Sequence, residues 1–350
     1  MKTGPKPDRR VFTAAAALAM ILPGATACAE EGETWESFKT RYLQPDGRVV
    51  DNGNNGVSHT EGQGWAMLLA VANEDRETFD RVWAWTNANL ARSDVRLFSW
   101  RYDPAAQPPV TDPNNATDGD IFIAWALLRA ADRWRNDDYA RASAEIRGAI
   151  GRGLVAQIAG RSLLLPGLEG FANAEGITYN PSYFVLPALK LFADRDPHGP
   201  WRQVIAGGLE VADLALFGQE SLPSDWVFVG VDGRLAPAAG HAPRFSFDAI
   251  RAPFYLVWGG EKSRRQVQAV AAWWRKGFKD DKRPPAWIDV MTGETAPYTL
   301  SNGGAAVAAI VMNDNGVDKW KAEEPNYYSS VLQLLATVSR KDVGRRRIGL

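Results

Sequence analysis

About eleven stretches of helical apolar periodicity, paired by short loops with no linker between them, constrain this chain more than anything else in it. Apolar residues recur at spacings of three and four over 34–43, 60–72, 76–90, 118–134, 138–158, 181–193, 201–218, 247–258, 262–278, 303–312 and 326–337. Pro-, Gly- and Asn-rich segments separate them, and no low-complexity tract divides the chain. Helices that bury one stripe each must pack against one another, so the pattern predicts a single all-α domain built from helix pairs. Residues 97–102 and 226–231 read as extended. The loops at 52–56 and 108–115 are rich in turn formers, and loops of that kind usually carry a site.

The start of the chain is a separate matter. Lys2, Lys6, Arg9 and Arg10 precede an apolar run from Val11 to Ala27 that ends in the small residues Ala25, Thr26 and Ala27. This is the pattern of a signal peptide over 1–27, followed by a mature domain over 28–350. Arg9-Arg10-Val11-Phe12 resembles a twin-arginine export signal. Pro23 and Gly24 interrupt the apolar run and leave it short for a bilayer, so stable membrane insertion is not expected. Export makes the protein periplasmic or secreted. Cys28 is the single cysteine, which rules out an intrachain disulfide, and Ala25 stands where a lipidated cysteine usually has leucine.

Charge excludes several partners. Forty basic and 41 acidic residues nearly cancel, leaving no footprint of a nucleic-acid or anionic-membrane binder. The three histidines, His59, His198 and His241, show no ligand spacing, and no Gly-rich phosphate loop follows a strand, so neither metal nor cofactor is expected. A neutral substrate fits better. The 14 Trp and 9 Tyr suit sugar faces as well as cores.

Candidate chemistry lies in carboxylates at helix openings. Glu61 sits in Ser58-His59-Thr60-Glu61-Gly62-Gln63-Gly64-Trp65, with apolar Met67, Leu68 and Leu69 behind it, a setting that raises a carboxyl pKa toward an acid's role. Asp118 opens another helix after Thr117. Asp248 opens a third, with Arg251 one turn on, where it can keep that carboxylate ionised. If helix pairs close into a ring, the three openings converge on one face. Taken singly, each acid reads equally as a dipole complement beside the N-caps Ser58, Thr60 and Thr117. Asp120 points away from Asp118 and reads as a supporting or capping residue. Trp65, Trp125 and Trp134 lie on strongly apolar helices and read as core.

The run Ala116-Thr117-Asp118-Gly119-Asp120-Ile121-Phe122-Ile123-Ala124-Trp125-Ala126-Leu127-Leu128-Arg129-Ala130, closed by Trp134, resembles the signature of glycoside hydrolase family 8. The segments around Glu61, Asn180-Pro181-Ser182-Tyr183-Phe184 and Phe247-Asp248-Ala249-Ile250-Arg251 resemble further blocks of that family in the same order, so the likeness spans about residues 33–340. It implies an (α/α)6 barrel and an inverting endo-β-1,4-glucanase that cuts cellulose or nascent β-1,4-glucan. Glu61 would be the general acid and Asp248 the general base. Asp118 would bind the distorted sugar, with Arg251, Trp100 and Tyr183 also on the substrate side. Phe247 departs from the tyrosine that some members carry there. Inversion requires room for water, so the two carboxyl groups are expected roughly 6.5–9.5 Å apart.

The resemblance also places this chain among compact enzymes encoded with bacterial cellulose synthase, which implies a monomer acting beside a cellulose synthase complex. The alternatives are a family 8 xylanase, lichenase or chitosanase, or a noncatalytic glucan-binding subunit of a cellulose-export complex. Intact Glu61 and Asp248 argue against the last, because binding alone requires neither.

Overall fold

In a computed structural model, residues 32–279, 282–314 and 323–347 are described, and from Gly32 onward the chain packs as one unit. The signal-peptide segment 1–27 and Cys28 lie outside the described residues.

Among the described residues there are eleven α-helices: α1 (Trp35–Tyr42), α2 (Thr60–Ala72), α3 (Arg76–Asn89), α4 (Thr117–Trp134), α5 (Asp137–Gly153), α6 (Leu186–Arg195), α7 (Trp201–Leu214), α8 (Arg251–Trp258), α9 (Arg265–Gly277), α10 (Asn302–Met312) and α11 (Tyr327–Arg347). Six of them form a closed ring, α2 against α4, then α6, α8, α10 and α11, with α11 returning to α2. The ring helices are apolar almost all round. Every residue of α2 from Gly62 to Val71 is buried, as is every residue of α4 from Thr117 to Leu128, which is the mark of a helix surrounded by others. The second layer is one-sided. On α5, Tyr139, Ala142, Ser143, Ile146, Ala149 and Ile150 face inward at helical spacing while the opposite face is charged. Helix α3 lies on α2, α5 on α4, α7 on α6, α9 on α8 and α10, and α1 on α11. The fold is an (α/α)6 barrel.

The expected helix at 138–158 is a correction. α5 stops at Gly153, and Val155–Ile158 pairs as an antiparallel strand with Arg161–Leu164. Ile146, Ile150, Leu154 and Ile158 continue a four-residue spacing, but Ala159 (φ 47°) and Gly160 (φ 78°) are both left-handed, the backbone of a tight hairpin turn. The helix expected from 181 divides into a 3-10 turn, Pro181–Tyr183, and α6. The one expected from 247 begins only at Arg251. The extended reading of 226–231 holds: Val227–Gly230 is the middle strand of a small antiparallel sheet, between Gly176–Tyr179 and Leu235–Pro237. So does that of 97–102, where Arg101–Tyr102 pairs with Ser58–His59 and ties the loop to the start of α2.

Candidate active site

Glu61, Asp118 and Arg251 all stand in the first turn of a ring helix, α2, α4 and α8 respectively, and Asp248 stands in the turn entering α8. Because the ring closes, these openings converge. Arg251 Nη2 donates to Asp248 Oδ1 at 2.7 Å and to Ser182 Oγ at 3.0 Å, and it lies 3.1 Å from Glu61 Oε1. The guanidinium is flanked by the rings of Trp65, 5.4 Å away, and Tyr328, 5.7 Å away. On its other side Asp248 accepts at Oδ2 from Asn180 Nδ2, 3.2 Å away. Ser182 fixes that amide, donating from both its backbone N (2.9 Å) and its hydroxyl (2.8 Å) to Asn180 Oδ1.

N-capping does not account for the acids. His59, whose Nδ1 accepts from Gly62 N at 3.2 Å, caps α2. Ala116 precedes α4 without a side-chain cap. Ser58 donates to Val49 O, and Thr117 donates to Leu165 O at 2.6 Å, so neither serves as the cap. The positive end of α4 therefore faces Asp118, whose Oδ1 accepts from Gly119 N at 2.7 Å, without a preceding capping side chain, whereas α2 is capped by His59.

Electrostatics separates the carboxyls by environment. Burial pushes the Glu61 carboxyl well above its ordinary range. Arg251 opposes the shift, and the neighbouring charges of Asp118 and Asp248 add to it. Burial also raises Asp118, against a hydrogen bond with Glu61, the charge of Arg251 and the amide of Gly119. The environment of Glu61 thus favours its protonated form more strongly than that of Asp118 does. The Asp248 side chain is the most open of the trio, 30% exposed against 17% for Glu61 and 4% for Arg251.

The remaining expected residues are near by. Burial pushes the Tyr183 phenol well up, and the charges of Asp118, Asp248 and Glu61 add to the shift while Arg251 opposes it. Trp100 accepts at its carbonyl from Thr60 N (3.0 Å) and donates from Nε1 to Asp112 Oδ2 (2.8 Å), so its indole is fixed beside the opening of α2. Asp120 supports, as expected, accepting from Phe98 N at 3.1 Å and Asn115 Nδ2 at 2.7 Å. Trp65 and Trp125 are buried, while Trp134 is half-buried against Phe79 and Tyr139.

Glu61 Oε1 and Asp248 Oδ1 both lie against one nitrogen, and the legs of 3.1 and 2.7 Å cap the separation of these two facing oxygens at about 5.8 Å.

Sequence reasoning gave no role to Asn180, Ser182, Asp225, Trp226 or Tyr328. Asp225 is buried under the Asp248 turn and accepts from Ser246 N (3.0 Å), Ala249 N (2.7 Å) and Ser246 Oγ. The Tyr328 hydroxyl donates to Phe247 O, and its ring meets the exposed Phe247 ring edge-on at 6.0 Å. Phe247, Ile250, Tyr298, Asn326 and Tyr328 line a pocket of about 200 Å³ there. Trp226 stacks with Phe171 at 6.0 Å and His241 at 4.6 Å, and lies 6.2 Å from Tyr183. An aromatic beside a turn gives no signal that separates a sugar platform from packing, and the partners of Asp225 lie more than twenty residues away.

Comparison with known proteins agrees with this geometry. The family model for glycosyl hydrolases family 8 matches residues 5–342. An endoglucanase of Cellulomonas uda is 43% identical over 297 residues, covering 84% of this chain and 80% of its own length. Among solved structures, the endoglucanase Cel10 of Klebsiella pneumoniae superposes with a TM-score of 0.84 at 41% identity, over 88% of this chain and 99% of that one. The endo-β-1,4-glucanase CMCax of Acetobacter xylinum superposes with a TM-score of 0.83 at 38% identity, over 88% and 97%. With two acidic groups and an arginine gathered at one end of an (α/α)6 ring and the family match running nearly its full length, this chain belongs to glycosyl hydrolase family 8.

Proposed function

We propose that this glycoside hydrolase is an endo-β-1,4-glucanase that inverts configuration, with Glu61 as general acid and Asp248 as general base. The observation that carries the reading is the single Arg251 nitrogen reaching both carboxyls, one pushed up by burial and one open to solvent. Glu61 passes its proton to the glycosidic oxygen as the bond from that oxygen to the anomeric carbon breaks. Water adds to the carbon from the opposite face and gives its proton to Asp248, leaving the α-anomer. Asp118, held beside Glu61, binds the distorted sugar. Trp100, Tyr183 and the pocket beside Phe247 bind glucose units to either side.

One observation favours a second reading. A ceiling of about 5.8 Å between facing oxygens suits a retaining pair, in which Asp248 would attack the sugar directly. Proton NMR of a fresh cellopentaose digest decides: α-anomer first supports inversion, and β-anomer first overturns it. Reducing-sugar release from carboxymethylcellulose, against xylan and chitosan, tests the substrate.

The cellular reading is part of the same proposal. Residues 1–27 act as a cleaved signal peptide, 28–350 form the catalytic domain, and a periplasmic or secreted monomer trims nascent glucan beside a cellulose synthase complex. No helix among the described residues is long and apolar enough to cross a membrane. N-terminal sequencing of the exported protein tests the cut after Ala27.

A further inference from the structure

The turn that carries Asp248 runs from Ser246 to Ile250 and leads directly into α8. A helix start leaves several backbone N–H groups without partners inside the helix. Here the residue preceding α8, Ile250, supplies no side-chain cap. Carbonyls of the turn take the first helical N–H groups, Arg251 N donating to Asp248 O at 3.0 Å and Ala252 N to Ala249 O at 3.2 Å, while N–H groups of the turn itself are held from elsewhere in the chain. Asp225 Oδ1 accepts from Ser246 N at 3.0 Å and from Ala249 N at 2.7 Å, one bond on each side of Asp248, and Oδ2 accepts from the Ser246 hydroxyl. Asp225 is itself fixed, since its backbone N donates to Arg244 O at 2.7 Å, next to the short strand Arg244–Phe245.

We propose that Asp225 is a positioning residue that sets where the Asp248 carboxylate sits, by clamping the turn on both sides of it. The inference rests on Asp248 being the base. Arg251 and Asn180 hold the carboxylate from the side-chain end, whereas Asp225 acts on its backbone. The Tyr328 hydroxyl holds Phe247 O, and the Asp225 clamp adds a buried carboxylate that ties the backbone on both sides of Asp248 to a distant part of the chain. A displacement of about 1 Å at a reacting group costs on the order of 10²-fold in rate. The arrangement has a cost of its own: burial and the charge of Asp248 push the Asp225 carboxyl up to about 7, so a like charge is kept beside the base in order to hold it.

The test compares Asp225→Ala, Asp225→Asn and Ser246→Ala on cellopentaose, with kcat and KM measured separately and Asp248→Asn alongside. Asp225→Ala loses all three bonds and is expected to lower kcat about 10²-fold while KM moves less than about threefold. Asp225→Asn keeps its amide oxygen for the two N–H donors, and its amide nitrogen can donate to the Ser246 hydroxyl, so kcat is expected to recover to within about tenfold of the parent. Ser246→Ala removes one bond and is expected to lower kcat a few-fold at unchanged KM. Should Asp225→Ala fail to fold, the other two variants carry the test: parental kcat in Ser246→Ala together with an Asp225→Asn as poor as an unfolded chain overturns the clamp. Parental kcat in a folded Asp225→Ala also overturns it, as does a loss appearing equally in KM. If Asp225→Ala is silent while Asp248→Asn is inactive, the clamp is wrong and the base stands. If Asp248→Asn turns over normally, the assignment of the base falls first.

Discussion

Arg251 brings one nitrogen to three oxygens while its guanidinium sits beside the adjacent Trp65 and Tyr328 rings. A lysine ammonium carries the same charge, but it is a compact point charge without the flat fork that packs beside aromatic rings and serves several acceptors. Arg251→Lys should therefore lower kcat on cellopentaose by about 10²-fold or more, with KM changed far less, because what it loses is the relation between the two carboxyls. Steady-state kinetics checks this, and parental kcat in the folded variant would show that the charge alone suffices. At this scale the sequence said most. Glu61, Asp118, Asp248 and Arg251 could be picked out because each is a charged residue at the mouth of an apolar helix. Asp225 and Asn180 could not, since each acts through a hydrogen bond to a turn at least 21 residues away, and no local pattern encodes such a bond.

Between elements, the acid is placed by how closely two ring helices meet. A Cβ on Gly119 would lie 2.1 Å from Thr60 Oγ1 and 2.8 Å from Glu61 N, and one on Gly64 would lie 2.6 Å from Phe122 Cβ. The glycines let the first turn of α4 touch that of α2, which brings Asp118 within hydrogen-bonding range of Glu61. Gly119→Ala should push the helices apart, costing about 1–3 kcal/mol in stability and lowering kcat more than tenfold. Thermal unfolding and kinetics measured together would refute this if both remain parental. The glycines could be seen in the sequence, but what they approach could not. Element ends show the same limit. α2 was expected at 60–72 and is found there because the loop before it gives a clear break. The expected helices at 138–158 and 247–258 overran because apolar spacing continued past the true end in the first, and in the second the turn 246–250 mimics a helical start while being held by Asp225.

For the whole molecule, the ring could be anticipated from the number of helices and from the family resemblance, whereas its pH response could not, because that depends on which carboxyls the ring buries. Among the described residues four are pushed up, mainly by burial: Glu61 and Asp120 well above their ordinary values, Asp118 less so, and Asp225 to about 7. In the unfolded chain such groups titrate near about 4. Between that pH and the raised folded value, the native state binds more protons than the unfolded one, so stability falls as pH rises. The stabilising effect of their protonated forms is complete below about pH 4 and is lost by the time pH has risen through about 7 for Asp225. Asp75 works in the opposite sense. Burial raises it, but Lys39, Thr78 and Trp35 outweigh that and hold it down to about 2, so its contribution is present above about pH 4 and lost as pH falls toward 2. Together they place maximum stability in mild acid, near pH 4–5, with a decline toward neutrality. Calorimetric unfolding from pH 3 to 8 at constant ionic strength should show this maximum, and Asp225→Asn should flatten the limb between pH 5 and 7. A melting temperature that climbs steadily from pH 5 to 8 would mean that the buried carboxyls are ionised at little cost, and that the proton assigned to Glu61 is not held there by burial.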